Sequence, residues 1–210
     1  MINNYKIDGI IFQEDNLFAD QTRREQILKY LVNTNIGWKG NSRINYFDLL
    51  VDDENFMNML VESGCSTIQF GLESGSQNVL NLINKKINVE DYIKVNKKLS
   101  KYNIKIRYNF IVGFPGETKE DLQMTFQVIE KLRCENKNVL HPFLNVYTPY
   151  PGTSLYNAAC KHGFRPPATT EGWAAISWNN TKGLSWLDFE TNKYLDRQTK
   201  YFYDKSEYLQ

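Results

Sequence analysis

The sequence predicts an α/β fold made of five parallel strand–helix units. Three observations support this: short apolar or alternating segments recur, an amphipathic helical pattern follows each of them, and the pattern changes only after Gly163. Strands that alternate with helices form parallel sheets joined by right-handed crossovers. Five units are too few for a closed eight-stranded barrel, so the residues leave open a doubly wound sheet or an incomplete barrel.

The first two units lie in the first third of the chain. The apolar run of residues 7–13 predicts a strand, and Asp20 can cap the helix that follows. Residues 36–45 predict the second strand. Asp52 can cap the next helix, which is predicted to end at Gly64, because glycine readily adopts the left-handed conformation found just beyond a helix.

The third and fourth units carry the strongest patterns. Residues 67–72 alternate between apolar and other side chains and predict a strand, followed by short helices that begin near Ser76 and Asn88. Residues 104–112 predict the clearest strand of the chain. Thr118 begins a Thr-Lys-Glu-Asp segment, which resembles a capping box and predicts the start of a long helix.

The fifth unit and a C-terminal segment complete the predicted organisation. Residues 140–148 predict a strand, and residues 153–162 predict its helix. We therefore expect a partial core over residues 1–163 and a helical appendage over residues 164–210, with a terminal helix from Leu187 to Leu209.

Composition excludes several classes of protein. Lys and Arg total 25 and Asp and Glu total 24, so the formal net charge of +1 provides no strong field for nucleic acid or an anionic membrane. No apolar run approaches the ~18 residues of a membrane span, and no signal peptide is recognisable, which predicts a cytoplasmic protein. The cysteines Cys65, Cys134 and Cys160 are widely separated, so no local metal site is predicted.

The residues that directly follow the predicted strands are candidates for ligand binding, because ligands of such folds lie at the carboxyl ends of the strands. Glu14 and Asp15 follow the first strand, and a Pro-Gly turn between Gly113 and Gly116 follows the fourth. A carboxylate at a strand end, such as Glu73, suits a ribose or ammonium group. Each of these segments alone could be an ordinary turn, but together they occur in order, one at each strand end.

This ordered set closely resembles the radical SAM superfamily. The closest similarity is to the branch with an Elp3/MiaB/NifB-like core, which often occurs with a cobalamin-binding domain. The resemblance covers about residues 7–167. Its segments are residues 12–18, 38–43, 64–76, 110–118 and 150–156.

The resemblance implies a partial TIM-like (β/α) barrel that binds S-adenosylmethionine and a [4Fe-4S] cluster. Reductive cleavage of S-adenosylmethionine in the complete protein would give a 5′-deoxyadenosyl radical. An electron donor such as flavodoxin or ferredoxin is implied, as is cobalamin through a further domain. The resemblance does not identify the substrate, whether a small molecule or a peptide, or a catalytic residue.

The same resemblance implies that charged residues bind the methionine part of S-adenosylmethionine. Glu14 or Asp15 matches the acidic strand-end position that binds the ammonium group. Arg43 and Arg107 are candidates for the carboxylate, because a guanidinium group pairs with it through two hydrogen bonds.

The ribose and adenine are assigned to later strand ends. Glu73 and Ser74 match the polar pair near the ribose and ammonium groups. Ile111 matches the apolar position against adenine, and Tyr147 lies where the last strand of the family lines that base. The glycines of the 113–116 turn match the Gly-rich turn of the family.

One departure from the family is large. The family places a Cys-x-x-x-Cys-x-x-Cys loop after its first strand, and this strand and loop are missing here, so the first strand of this chain matches the second of the family. We favour a truncated piece of a longer enzyme. The alternatives are a catalytically inactive nucleotide-binding or interaction module, and an unrelated barrel enzyme using acid–base chemistry through Glu14, Asp15 and Glu73.

Overall fold

The structure is a computed structural model that describes residues 7–174, 176 and 184–206. The last residues of the predicted terminal helix, 207–209, lie outside this range. The strands in the described residues are β1 (Gly9–Ile11), β2 (Gly37–Ser42), β3 (Cys65–Glu73), β4 (Lys105–Val112) and β5 (Phe143–Val146). The helices there are α1 (Gln21–Val32), α2 (Ile44–Leu50), α3 (Glu54–Glu62), α4 (Gln77–Leu82), α5 (Val89–Leu99), α6 (Lys119–Glu135), α7 (Tyr156–Lys161), α8 (Thr170–Ala174) and α9 (Phe189–Ser206).

The strands form one parallel sheet in the order β1-β2-β3-β4-β5. Each strand therefore pairs with the next one along the chain, and the order never reverses as it does in a doubly wound sheet. This topology confirms the predicted partial TIM-like α/β fold. Among the described helices, none combines the length and the apolar character that crossing a membrane requires.

Contacts divide the chain into two compact units. Unit 1 contains the described residues up to Leu72, together with Ile87–Tyr108 and Glu130–Pro142. Unit 2 contains Glu73–Lys86, Asn109–Ile129 and the described residues from Phe143 onward. The carboxyl ends of β1 and β2 thus belong to unit 1, whereas the segments that follow β3, β4 and β5 belong to unit 2.

Strands β4 and β5 have one buried face and one face that is largely half exposed. Along β4 the even-numbered residues are buried and most odd-numbered ones are half exposed, and β5 continues the same alternation. Their register places Ile111 beside Asn145 on the half-exposed face. Because side chains alternate along a strand, Tyr147, the first residue after β5, continues this face.

Aromatic rings form much of the core of unit 1. The ring of Phe47 lies 5.6 Å from that of Phe18 and 5.3 Å from that of Phe70, both in edge-on contacts. The indole of Trp38 is buried and its Nε1–H donates to the Ser63 carbonyl at 2.9 Å. This satisfies the polar atom of a large buried side chain at the start of β2.

Two local predictions are wrong. The predicted second strand ends at Ser42, because Ile44, Phe47 and Leu50 form the buried side of the short helix α2. The cap of α3 is Asp53, whose carboxylate accepts from Phe56 N–H at 3.1 Å. Its neighbour Asp52, the predicted cap, instead pairs with Lys98 at 2.6 Å.

Candidate functional site

The carboxylates that follow β1 differ in their environment. Glu14 forms an ion pair with Arg23, and this hydrogen-bonded guanidinium group lowers the pKa of Glu14. The side chain of Asn41 in β2 donates to the Glu14 carbonyl at 3.0 Å and so fixes the backbone at the end of β1. Asp15 is exposed. The negative charge of Glu14 is therefore already balanced within unit 1.

The candidate arginines occupy different positions in unit 1. Arg43 is exposed and immediately precedes α2, and its backbone N–H donates to Asn16 Oδ1 at 3.4 Å. Arg107 is the third residue of β4 rather than its last, and its Nη1 donates to the His141 carbonyl at 3.3 Å. Burial lowers the pKa of Arg107. Of these arginines, only Arg43 lies at the carboxyl end of a strand.

Glu73, the last residue of β3, has a strained backbone and a partly exposed carboxylate. Its φ is 68°, in the left-handed region that glutamate rarely adopts. Its carboxylate pairs with Lys85 at 2.6 Å, with side-chain exposures of 18% for Glu73 and 22% for Lys85. Strained residues concentrate at functional sites, and this pair leaves part of the carboxylate in reach of a ligand.

Helix α6 holds the loop that follows Glu73. The hydroxyl of Thr125 lies 3.0 Å from that of Ser74 and accepts from Gly75 N–H at 3.0 Å. Ser76 donates its hydroxyl to Asp121 at 2.5 Å. Ser74 is fully buried. Through these bonds, Ser74 and Ser76 hold the loop after β3 against α6.

The same helix begins directly after the Gly-rich turn. Asp121 accepts from Thr118 N–H at 3.0 Å, and Thr118 Oγ1 accepts from Asp121 N–H at 3.2 Å, which confirms the predicted capping box. Asp121 thus contacts both the start of α6 and, through Ser76, the loop after β3. Within unit 2, one helix end therefore positions both candidate binding segments.

The turn itself is closed by a carboxyl group that the sequence patterns did not indicate. Gly113 and Gly116 have φ values of 81° and 89°, which glycine adopts without strain. The Oε2 atom of Glu117 accepts from Gly113 N–H at 2.5 Å and from Phe114 N–H at 3.0 Å. A Cβ atom at Gly116 would meet nothing within 4 Å, so the backbone there is open to a ligand.

The side chain of Glu117 is buried. It is 3% exposed, and its Oε1 has no hydrogen-bond partner among the described residues. Burial raises the pKa of Glu117 to about 8, although the two backbone N–H groups favour its charged form. The folded protein therefore binds a proton at this carboxyl group more tightly than the unfolded chain does.

The predicted adenine-contacting residues lie beside the turn. Tyr147 N–H donates to the Val112 carbonyl at 2.8 Å, which extends the pairing of β4 and β5 by one residue. The ring of Tyr147 lies 5.2 Å from that of Phe114 in the turn. The structure thus groups Ile111, the glycine turn and Tyr147 in unit 2, where Glu73 also lies.

The cysteines do not fit a [4Fe-4S] cluster. Cys65 is buried in β3, where burial raises the pKa of its thiol, while Cys134 lies in α6 and Cys160 in α7. In the part of the chain that the structure describes, no group of three His, Cys, Asp or Glu residues could hold a metal ion. A cluster needs several thiolates that converge on it, and this chain does not supply them.

We therefore expect the purified chain to hold no stable cluster after anaerobic incubation with iron and sulfide. The measurement is the visible charge-transfer absorbance and the iron content after desalting, with a bacterial ferredoxin reconstituted in parallel as the positive control. A stoichiometric cluster that survives desalting would contradict this expectation.

Comparisons with known proteins support the family resemblance. The family model described as the radical SAM superfamily matches residues 10–129. An uncharacterized methyltransferase of Pyrococcus horikoshii is 31% identical over 157 residues, which are 74% of this chain and 32% of the relative. A tRNA-2-methylthio-N(6)-dimethylallyladenosine synthase of Pelagibacter ubique is 37% identical over 43% of this chain and 20% of the relative.

Solved structures show the same fold. The radical S-adenosylmethionine methyltransferase TsrM of Kitasatospora setae, with cobalamin and a [4Fe-4S] cluster bound, matches with a TM-score of 0.59 and 15% identity over 80% of this chain and 33% of that one. Coproporphyrinogen III oxidase of Escherichia coli matches with a TM-score of 0.59 and 14% identity over 95% of this chain and 40% of that one.

The chain spans about a third or less of the length of these curated relatives. The matched family model nevertheless covers more than half of the chain, and it ends within α6, the helix that holds both strand-end segments of unit 2. This chain belongs to the radical SAM superfamily.

Proposed function

We propose that this chain binds S-adenosylmethionine through the strand-end segments of unit 2, as part of a radical SAM enzyme. The main observation behind this proposal is that helix α6 is hydrogen-bonded to both the loop after Glu73 and the end of the Gly113–Gly116 turn segment. Glu73 would accept hydrogen bonds from the ribose or ammonium group, and Ile111 and Tyr147 would contact the adenine. The open backbone at Gly116 would allow the ligand to approach closely.

The family resemblance assigns the methionine part of the cofactor to charged residues that lie in unit 1. Asp15 is the better candidate than Glu14 for the ammonium group, because Arg23 already contacts both carboxylate oxygens of Glu14, whereas the contact of Lys85 with Glu73 is to Oε1. Arg43 is the better candidate for the carboxylate, because Arg107 lies in the middle of β4 and is bonded to the His141 carbonyl. Ser74 is proposed to support Glu73 rather than to touch the ligand, since it is fully buried.

Cluster chemistry is not assigned to any residue of this chain. In the family, bound S-adenosylmethionine supplies a carbon-centred radical after one-electron reduction, so a donor of the flavodoxin or ferredoxin class would be a partner of the complete enzyme. We propose that sequence outside this chain supplies the cluster ligands. TsrM binds cobalamin, but a likeness at 15% identity concerns the fold, and we assign no cobalamin contact here.

A catalytically inactive module that binds S-adenosylmethionine is the alternative, favoured by the cysteines that do not converge. The two functions differ in whether a three-cysteine loop precedes this segment in the encoded protein. Translating the genomic sequence upstream of Met1 in frame distinguishes them: a Cys-x-x-x-Cys-x-x-Cys loop there supports the enzyme, and its absence supports the inactive module.

Replacing Glu73 by glutamine should weaken the binding of S-adenosylmethionine by about 1–3 kcal/mol, since a hydrogen bond to a charged acceptor becomes a neutral one. The measurement is isothermal titration of the full 210-residue chain. The matched control is Glu62→Gln, because Glu62 is an exposed glutamate at the end of α3. Absence of binding to the unmodified chain would contradict the proposed function, and equal affinity of the Glu73→Gln variant would remove Glu73 from the site.

A further inference from the structure

The peptide at Gly113 is held from both sides. Its N–H donates to Oε2 of the buried carboxyl group of Glu117 at 2.5 Å. Its carbonyl accepts from the indole Nε1–H of Trp186 at 2.7 Å. Glycine is the residue with the greatest backbone freedom, so hydrogen bonds at both ends of this residue restrict a turn that would otherwise sample several conformations.

Trp186 reaches this turn from far along the chain. It lies 73 residues beyond Gly113 and is 9% exposed. Its ring contacts Tyr147 edge-on, with the centroids 6.3 Å apart, and Phe164 at 5.5 Å. Trp186 therefore touches both the turn and Tyr147, the residue proposed to line the adenine.

A second residue of the same segment packs on the turn. A Cβ atom built at Gly113 would lie 2.7 Å from Leu184 Cδ1, closer than side chains approach one another. The backbone of Gly113 is thus in direct contact with the segment 184–186. This packing, together with the hydrogen bond from Trp186, makes the conformation of the turn depend on the C-terminal part of unit 2.

We propose that Trp186 is a positioning residue for the S-adenosylmethionine site, acting through the Gly113 carbonyl. This inference rests on the proposed function. A turn that is already ordered before the ligand arrives loses less conformational entropy on binding. Residues 184–186 would then contribute to the affinity for the cofactor without touching it, by holding the Gly-rich turn in the conformation that the ligand meets.

The test replaces Trp186 by phenylalanine, which keeps an aromatic ring but removes the N–H donor. The matched control is Trp173→Phe, because Trp173 also packs on Phe164, with the centroids 6.1 Å apart. Two quantities are measured on the full chain: amide hydrogen exchange of the peptide covering residues 110–117 without ligand, and the dissociation constant for S-adenosylmethionine.

We expect Trp186→Phe to speed exchange at Gly113 and Phe114 and to raise the dissociation constant about 5-fold, as for a typical lost hydrogen bond. Trp173→Phe should change neither quantity. A positioning role predicts that the faster exchange is confined to this turn, whereas a purely stabilising role predicts faster exchange throughout unit 2.

The outcomes separate this inference from the proposed function. If the unmodified chain binds S-adenosylmethionine and Trp186→Phe binds it equally well, the positioning role is wrong while the proposed function stands. If the unmodified chain binds none, the proposed function fails. The positioning role fails with it, even where faster exchange shows that Trp186 orders the turn.

Discussion

Replacing Gly75 by alanine is expected to destabilise the protein by about 2–3 kcal/mol, as overpacking of a close contact does. A Cβ atom at this position would lie 2.6 Å from Thr125 Cα and 2.8 Å from the Met124 carbonyl oxygen. Both are backbone atoms of α6, which cannot rotate away. The added methyl group would therefore push the loop after β3 off α6 and weaken the bond from Gly75 N–H to Thr125.

The matched control is Gly37→Ala. An added Cβ at Gly37 would meet nothing within 4 Å, and Gly37 is exposed at the start of β2. Its effect on the free energy of unfolding should stay within about 0.5 kcal/mol. Urea denaturation of both variants measures the difference. Equal stability of the two variants would show that the loop after β3 is not held against α6 as described.

Replacing Glu117 by glutamine is expected to flatten the pH dependence of stability. Burial raises the pKa of Glu117 to about 8 in the folded protein, whereas an exposed glutamate in the unfolded chain titrates near 4.5. This group stabilises the folded protein fully at low pH, and the contribution is lost as the pH rises through about 8. The loss in the unmodified protein should be roughly 3–5 kcal/mol.

Glutamine keeps an oxygen that can accept from Gly113 and Phe114, so the variant should fold. It carries no titrating proton, whereas other ionisable groups such as His141 are present in both proteins. The difference between the two unfolding free energies, measured by urea denaturation from pH 5 to pH 9, therefore reports Glu117 together with Asp121, whose charge contributes to the raised pKa of Glu117. Parallel pH profiles for the two proteins would contradict its buried, proton-binding state.

The sequence predicted the strand–helix order because apolar alternation and helix caps are local signals. The strand at residues 105–112 and the capping box at Thr118 were both found in this way. Helix α2 was missed because its seven residues directly follow a strand and contain only one short apolar stripe. Asp52 and Asp53 both precede α3, and either could cap it. Only the folded chain shows that Asp52 pairs with Lys98, 46 residues further along, and that Asp53 is the cap.

The contacts that hold the candidate site in place could not be predicted from local sequence patterns. The ion pair of Glu14 with Arg23 spans nine residues, and the bond from Trp186 to Gly113 spans 73. No periodicity connects residues at such spacings. Glu117 could have been suspected, because an acidic residue directly after a Pro-Gly turn can reach back to the free N–H groups of that turn. Its full burial, which raises its pKa, appears only in the folded chain.

We propose that the strand-end segments of unit 2 bind S-adenosylmethionine. Amide hydrogen exchange of the full chain, measured with and without saturating S-adenosylmethionine, tests it most directly. We predict slower exchange in the peptides that cover residues 73–76 and 111–117, and unchanged exchange in helix α3, which carries no residue assigned to the site. Unchanged exchange in both of those peptides, or protection found only elsewhere in the chain, would contradict the claim.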